Sequence, residues 1–215
     1  MKKYLSIFIS STLAGFCIVI GACVFLMLKA KGQEFVGSLC FGLGLFTIIH
    51  FGFHLYTGKV SDVLNNKPKY IIDLVVCLIG NIIGVILLTL IIKQTRLDNT
   101  LIAQAQQIVQ AKENDSWYSL LILSSLCGVM IYLAVKGHAK CEYPIGKVLF
   151  CFLAISIFIL CGFEHCVANC SYYTLAGVFN IKVLFKFIIM ILGNAIGAIA
   201  FDGLLKLMTY LNKGE

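Results

Sequence analysis

Long apolar stretches separated by short polar connections dominate the sequence. About 20 consecutive apolar residues are enough for an α-helix to cross a bilayer, and six stretches of this chain reach that length. They are residues 4–28, 35–58, 70–92, 116–135, 148–179 and 183–210. The pattern predicts an all-α membrane protein with six transmembrane helices, formed as one domain over residues 1–215. The longest connection, 93–115, is predicted to contain a short amphipathic helix at 101–110.

The fifth apolar stretch carries polar groups at a depth where they are costly. Glu164 is the only charged residue within 148–181, and His165 and Asn169 follow it closely. Ionisable groups inside a membrane usually face the interior of a helix bundle or a water-filled path. The stretch is too long for one ordinary span and too short for two spans with a loop. It therefore predicts a discontinuous helix broken at 165–169, an arrangement common at transport sites.

The second half of the chain repeats a motif of the first half. Residues 80–86 read GNIIGVI and residues 193–199 read GNAIGAI, and the glycine spacing in each copy allows two membrane helices to pack closely. Because the copies are three spans apart, the halves cross the membrane in opposite directions, which predicts an inverted 3+3 repeat of about 1–93 and 112–215. The counterpart of the broken fifth helix is the second helix. The repeat therefore predicts another break at 55–58, facing the first near mid-membrane.

Composition and charge agree with a protein embedded in a membrane. The chain is 60% hydrophobic and only 13% charged, and its mean hydropathy is +0.96. The 17 Lys and Arg residues outnumber the 10 Asp and Glu residues, for a net charge of +7. They are scattered among the connections, so no nucleic-acid partner is predicted. Their distribution slightly favours both termini in the cytoplasm, and their excess could also draw anions toward a pore mouth.

The cysteines and histidines raise one alternative class of protein. The ten cysteines form no CxxC motif and nearly all lie in apolar stretches, so we predict reduced thiols that act as small apolar side chains. His50 and His54 have the i, i+4 spacing of a helical metal or haem site. With His165 they leave a membrane haem or thiol oxidoreductase open as a minor alternative. The main interpretation predicts no catalytic residues, no metal and no cofactor.

Five parts of the chain, in order, resemble the formate/nitrite transporter family. FHLYTG at 53–58 is similar to the broken second helix of the family, and GFEHCVAN at 162–169 resembles its broken fifth helix. The two GN-containing segments match its third and sixth helices. Lys112 lies sixteen residues before Gly128, which resembles the spacing between the outer-vestibule lysine of the family and the motif of its fourth helix.

The resemblance implies an aquaporin-like channel domain in a homopentamer, with one pore in each protomer and no enzymatic activity. It implies passage of small monovalent anions such as formate, nitrite or hydrosulfide across the inner (plasma) membrane. His165 would be the central pore histidine, facing Thr57, and Asn169 and Lys112 would also contact the passing anion. Two apolar constrictions would be formed by Phe41, Leu45, Leu55, Tyr56, Ile131 and Phe158.

A pore histidine has a clear physical purpose. A bare anion at mid-membrane depth is strongly desolvated, and a histidine lowers that cost by donating a hydrogen bond or a proton to the anion. Glu164 is predicted to orient the backbone or a neighbouring helix rather than touch the anion. Asn169 either satisfies freed backbone groups at the break or contacts the pore. Lys112 is either one solvated loop lysine among several or a lysine that concentrates anions at the outer mouth.

The chain departs from the family pattern at several positions. His54 stands where an acid is usual, and Lys59 replaces a polar uncharged residue. Gly128 stands where the family has an asparagine, which would remove one pore-lining amide and leave a supporting role. Only about four residues precede the first span, so no counterpart of the longer N-terminal gating helix of the family is expected. A channel for neutral solutes such as water or ammonia remains an alternative.

Overall fold

The structure, a computed structural model, describes residues 2–213 and contains only helices and their connections over that range. The α-helices are α1 (Lys2–Lys29), α2 (Glu34–Phe51), α3 (Tyr56–Lys59), α4 (Tyr70–Ile92), α5 (Asp98–Glu113), α6 (Trp117–Lys140), α7 (Pro144–Leu160), α8 (Cys166–Ala176) and α9 (Ile181–Leu211). A 3-10 helix, Val60–Asn65, directly follows α3. The predicted short helix in the longest connection is α5.

Within residues 2–213, five helices are long and apolar enough to cross a membrane, namely α1, α2, α4, α6 and α9, and α7 is a shorter apolar helix. The predicted second span corresponds to α2 with α3, and the predicted fifth span to α7 with α8. Large apolar side chains such as Ile79, Ile122 and Phe185 are about half exposed on the outside of the bundle. Lipid chains can cover such side chains, so these faces suit a bilayer. The prediction of an all-α membrane fold is confirmed.

Glycines bring two pairs of helices into close contact. A Cβ added to Gly15 in α1 would lie 2.5 Å from the carbonyl oxygen of Asn81 in α4. A Cβ on Gly128 in α6 would collide with the carbonyl oxygen of Asn194 in α9 in the same way. The second glycine of each GN motif also faces close backbone, because an added Cβ would collide with the carbonyl oxygen of Thr12 for Gly84 and of Ser125 for Gly197. The repeated motif therefore lets the backbones of α1 and α4, and those of α6 and α9, come into direct contact.

Two helices are interrupted, but the interruptions begin earlier than predicted. Helix α2 ends at Gly52, in the left-handed conformation with φ of 68°, and the chain is extended at Leu55 before α3 begins. Helix α7 is followed by Gly162, also at φ of 68°, and the chain is extended at His165 before α8 begins. The residues predicted to be irregular, 56–58 and 166–169, are helical. A glycine in the left-handed conformation can end a helix at no steric cost. Such a glycine therefore determines where α2 and α7 end.

The early end of α2 also removes the predicted histidine pair. His50 lies in the last turn of α2, whereas His54 lies beyond it in the extended segment. The two imidazoles therefore do not share one helix face, and the prediction of an i, i+4 metal or haem spacing is wrong. Within residues 2–213 no group of three or more His, Cys, Asp or Glu side chains is placed to hold a metal.

Candidate functional site

Each helix break is held by an asparagine from a GN motif. Asn81 in α4 accepts a hydrogen bond from the N–H of Tyr56, the first residue of α3, at 2.9 Å. Its side-chain amide donates to the carbonyls of His54 at 2.9 Å and of Ser11 at 2.8 Å. Asn81 is fully buried, so these bonds satisfy backbone groups that no water reaches. The side chain thus joins the break to both α4 and α1.

The second break has the same hydrogen-bond pattern. Asn194 in α9 accepts from the N–H of Cys166, the first residue of α8, at 2.9 Å. It donates to the carbonyls of Glu164 at 2.7 Å and of Ser124 at 2.8 Å. The sequence reasoning used the GN motifs for helix packing and missed this role. Each of these asparagines stands among apolar residues, and a buried amide needs hydrogen-bond partners. That pattern could have revealed this role from the sequence.

The two breaks meet at a contact between Thr57 and His165, as predicted. Thr57 Oγ1 lies 2.9 Å from Nε2 of His165, and both residues are at most 2% exposed. Nδ1 of His165 accepts a hydrogen bond from the N–H of Ala168 at 3.0 Å, in the first turn of α8. Because Nδ1 is an acceptor, the ring proton lies on Nε2 and is donated to Thr57. The hydroxyl proton of Thr57 then has no acceptor within residues 2–213.

Apolar side chains surround this contact. The ring of Phe158 stacks on His165 with centroids 5.7 Å apart, and Phe41 meets Phe158 edge-on at 6.1 Å. The six residues predicted to form the constrictions are all at most 7% exposed; they are Phe41, Leu45, Leu55, Tyr56, Ile131 and Phe158. Such burial also suits ordinary helix packing, so their part in a constriction stays a prediction.

A cavity of about 380 Å³ opens beside His165 at the C-terminal end of α1, and we name it the Glu164 cavity. Oε2 of Glu164 accepts hydrogen bonds from Nζ of Lys112 at 2.5 Å and from the amide of Asn169 at 2.6 Å. The amide of Asn169 also contacts the sulfur of Met190 at 3.0 Å. Asn169 therefore binds a carboxylate and a thioether rather than freed backbone groups, and it lines the cavity.

Lys112 is not the solvated lysine that the sequence suggested. It lies on α5, is only 9% exposed, and forms an ion pair with the carboxylate of Glu164. The lining of the cavity also includes the ion pair of Lys29 with Glu34 and the side chain of Asp115. Carboxylates therefore outnumber ammonium groups at this mouth, and the expectation of a basic vestibule around Lys112 is wrong.

Gly128 lies where α6 packs against α9. It lines neither this cavity nor the one described next. Its missing side chain is required by the backbone of α9, as described above for Asn194. The supporting role of Gly128 in helix packing is consistent with this contact, and the loss of a pore-lining amide at this position stays a prediction.

A second cavity, of about 310 Å³, lies at the N-terminal end of α1, and we name it the His54 cavity. Its lining includes Lys3, His54, Lys59, Tyr70 and Asp73. The 28 residues of α1 extend about 42 Å at 1.5 Å per residue, so the two cavities lie at opposite ends of the bundle. They share no lining residue, and the buried contact between the two breaks lies in the interior.

A helix bundle with two interrupted helices that meet between opposite cavities defines a class of membrane channels and transporters. The sequence profile described as formate/nitrite transporter matches residues 1–208 of the chain. The chain belongs to the formate/nitrite transporter family.

Relatives and solved structures of the family agree with this assignment. The chain is 26% identical over 189 residues to the formate channel FocA of Haemophilus influenzae, covering 78% of this chain and 65% of the relative. It is 26% identical over 188 residues to the formate channel FocB of Escherichia coli, with the same coverage of 78% and 65%. The chain thus spans just under two thirds of both relatives.

The fold is that of solved channels. A structure described as a pentameric formate channel with formate bound superimposes with a TM-score of 0.82 at 22% identity, covering 98% of each chain. A structure described as an FNT family ion channel gives 0.83 at 21% identity, covering 95% of this chain and 90% of the other. At these identities the likeness concerns the fold.

Proposed function

We propose that the protein conducts small monovalent anions, such as formate, nitrite or hydrosulfide, across the membrane through the Thr57–His165 contact. The observation that carries the proposal is this contact itself. It joins the two helix breaks in an apolar interior, between cavities at opposite ends of the bundle. The names of the relatives support formate as a member of the substrate class.

The contact offers two hydrogen-bond donors to an anion. The hydroxyl proton of Thr57 is free, and the Nε2 proton of His165 becomes free when the anion replaces Thr57 Oγ1 as its acceptor. Each hydrogen bond to a charged acceptor is stronger than a neutral one and offsets part of the desolvation cost. The bond from Ala168 to Nδ1 keeps the ring proton on Nε2. This geometry favours a hydrogen-bonding role of His165 over full proton transfer to the anion.

Glu164 and its partners have a supporting role in this proposal. A bare carboxylate next to His165 would repel an arriving anion. Lys112 and Asn169 hold the carboxylate of Glu164 by an ion pair and a hydrogen bond, so its charge is compensated. In this account Lys112 acts by neutralising Glu164 and lining the passage, together with Asn169, rather than by collecting anions from solution.

The protein is proposed to assemble as a homopentamer in the inner (plasma) membrane, with both termini in the cytoplasm. The similar pentameric formate channel supports the assembly, and the distribution of Lys and Arg supports the orientation. Native mass spectrometry in detergent is expected to give five copies, and a dimer or a trimer would contradict the assembly. A reporter that is active only in the cytoplasm is expected to be active when fused to the C-terminus.

The experiment that tests the proposed function is solute flux in proteoliposomes. Formate, nitrite and hydrosulfide influx is expected to exceed the influx of glycerol, and His165→Phe is expected to reduce anion influx strongly. The matched control is His50→Phe, which removes an imidazole that lines neither cavity. Influx of glycerol or ammonia without anion influx would replace the proposal with a neutral-solute channel.

A further inference from the structure

A third cavity, of about 490 Å³, lies between the C-terminal ends of α6 and α9, and we name it the Lys140 cavity. It shares no lining residue with the Glu164 cavity or the His54 cavity, so it is separate from the path proposed for anions. The charged residues of its lining are four lysines and one acid, namely Lys136, Lys140, Lys206, Lys213 and Asp202. Four positive charges against one negative charge give the lining a net charge of +3, which favours an anionic ligand.

The carboxylates at this cavity do not neutralise it. Oδ1 of Asp202 accepts a hydrogen bond from the hydroxyl of Tyr132 at 2.7 Å, and Oδ2 pairs with Nζ of Lys206 at 2.7 Å. The 3-10 helix supplies a further carboxylate, from Asp62, which pairs with Nζ of Lys136 at 2.5 Å. With this second carboxylate counted, the four lysines still leave a net charge of +2.

The ammonium groups of Lys140 and Lys213 are available to a ligand. Both residues are exposed, and neither forms an ion pair within residues 2–213. Lys140 is the last residue of α6, and Lys213 follows the end of α9 by two residues. A phosphate group between them can accept a charge-assisted hydrogen bond from each, which is stronger than a hydrogen bond between neutral groups.

The repeated motif shows that helix packing does not require these lysines. The two GN motifs lie 113 residues apart, and at the same spacing Lys136 and Lys140 in α6 correspond to Cys23 and Met27 in α1. Cys23 is buried and Met27 packs against the apolar core. The pair of α1 and α4 thus packs as closely as the pair of α6 and α9 with apolar side chains at these positions. The lysines are therefore a feature of one end of the bundle that needs another explanation.

The Lys140 cavity lies at the depth of the lipid headgroups. Helix α9 has 31 residues and is about 46 Å long at 1.5 Å per residue, which exceeds the roughly 30 Å of the hydrocarbon core of a bilayer. Its last turns therefore extend into the headgroup region. In these turns Leu207 and Leu211 are more than half exposed, and Tyr210 is 75% exposed, as is common for tyrosine at a membrane interface. A lipid phosphate and the lysines of the cavity therefore lie at the same depth.

We propose that the Lys140 cavity binds the headgroup of an anionic phospholipid, whose phosphate accepts hydrogen bonds from the ammonium groups of Lys140 and Lys213. Lys136 and Lys206 stay paired with their carboxylates and add to the positive potential. Basic pockets between membrane helices are suited to anionic headgroups, and the volume of about 490 Å³ leaves room for a phosphate with its glycerol. This lipid site is independent of the proposed conduction, because it lies outside the path through the Thr57–His165 contact.

The test is binding of phosphatidylglycerol to the solubilised protein, measured by native mass spectrometry as the fraction of protein that carries lipid. Lys140→Gln and Lys213→Gln are each expected to raise the phosphatidylglycerol concentration for half-maximal binding roughly fivefold, as the loss of one ammonium group near an anionic headgroup predicts. The matched control is Lys67→Gln, which removes the same charge. Lys67 is exposed in the connection before α4 and lines none of the three cavities.

Two further titrations identify the ligand. Phosphatidylcholine has the same phosphate with a compensating positive charge, so it is expected to bind the wild type more weakly than phosphatidylglycerol and to bind Lys140→Gln no differently. Inorganic phosphate at millimolar concentration is expected to leave phosphatidylglycerol bound. Equal half-maximal concentrations for Lys140→Gln and Lys67→Gln would overturn the site. Displacement of the lipid by inorganic phosphate would also overturn it, because the cavity would then be a site for free phosphate.

Discussion

At the residue scale, two buried contacts define the candidate site: Thr57 with His165, and Lys112 with Glu164. His165 and Thr57 were predicted to face each other, and they do, at 2.9 Å. Lys112 was placed in solvent because its connection looked polar, whereas its ammonium group reaches Glu164, 52 residues further along the chain. A contact over such a separation depends on where α5 packs, which local hydrophobic patterning does not determine.

The burial of Lys112 leads to a stability prediction. Lys112→Ala leaves the carboxylate of Glu164 buried with only the amide of Asn169, and removal of one member of a buried ion pair typically costs roughly 3–5 kcal/mol. We expect a clearly lower thermal unfolding midpoint in detergent, with little dependence on salt concentration because a buried pair is poorly screened.

A paired variant is the control for this effect. Lys112→Met combined with Glu164→Gln removes both charges and is expected to recover much of the lost stability. If Lys112→Ala instead unfolds like the wild type and only its flux at low salt declines, Lys112 acts as a surface charge and the buried ion pair is unimportant.

At the element scale, the sequence predicted both interrupted helices from one polar cluster and one repeat. It did not predict their bounds: the breaks were predicted at 55–58 and 165–169, whereas the helices stop at Gly52 and Gly162. A glycine followed by phenylalanine, at 52–53 and 162–163, occurs in both breaks and was the available signal. Tertiary hydrogen bonds then allow the helix to resume earlier than local propensity suggests.

The hydrogen bonds of Asn81 and Asn194 at the two helix breaks give a prediction at this scale. Asn194→Ala leaves the N–H of Cys166 and two carbonyls without their partner, and an unsatisfied buried polar group costs roughly 1–3 kcal/mol. We expect faster hydrogen exchange at the start of α8 and reduced flux. Asn81→Ala should do the same at α3, whereas Asn66→Ala, at an exposed position after the 3-10 helix, is the control. Unchanged hydrogen exchange in both Asn194→Ala and Asn81→Ala would contradict the proposed role of these asparagines in holding the breaks.

Helix packing gives another prediction. Gly128→Ala is expected to reduce the yield of monodisperse protein strongly, because the added Cβ collides with the carbonyl oxygen of Asn194. Gly203→Ala, in the same helix pair, is the matched control, because its added Cβ meets only Leu64 at 3.8 Å. Equal yields for both variants would show that α6 and α9 separate easily, against the packing described here.

At the scale of the whole molecule, hydrophobic patterning was sufficient for the all-helical membrane fold, and the quoted motifs were sufficient for the family. The charge of the two mouths was not predictable in the same way. It depends on which lysines and acids become neighbours at each end of the bundle, as in the pairs of Lys112 with Glu164 and of Lys3 with Asp73. The more basic mouth is therefore the one that contains Lys59, and not, as predicted, the one that contains Lys112.

The most direct test of the account is a double-mutant cycle on formate influx into proteoliposomes, with Thr57→Val, His165→Phe and the combination. If the two side chains act together on one anion, either single variant removes most of the influx and the double variant loses little more, because residues that share an interaction are not additive. Independent, multiplicative losses, or wild-type influx in either single variant, would contradict conduction through the Thr57–His165 contact.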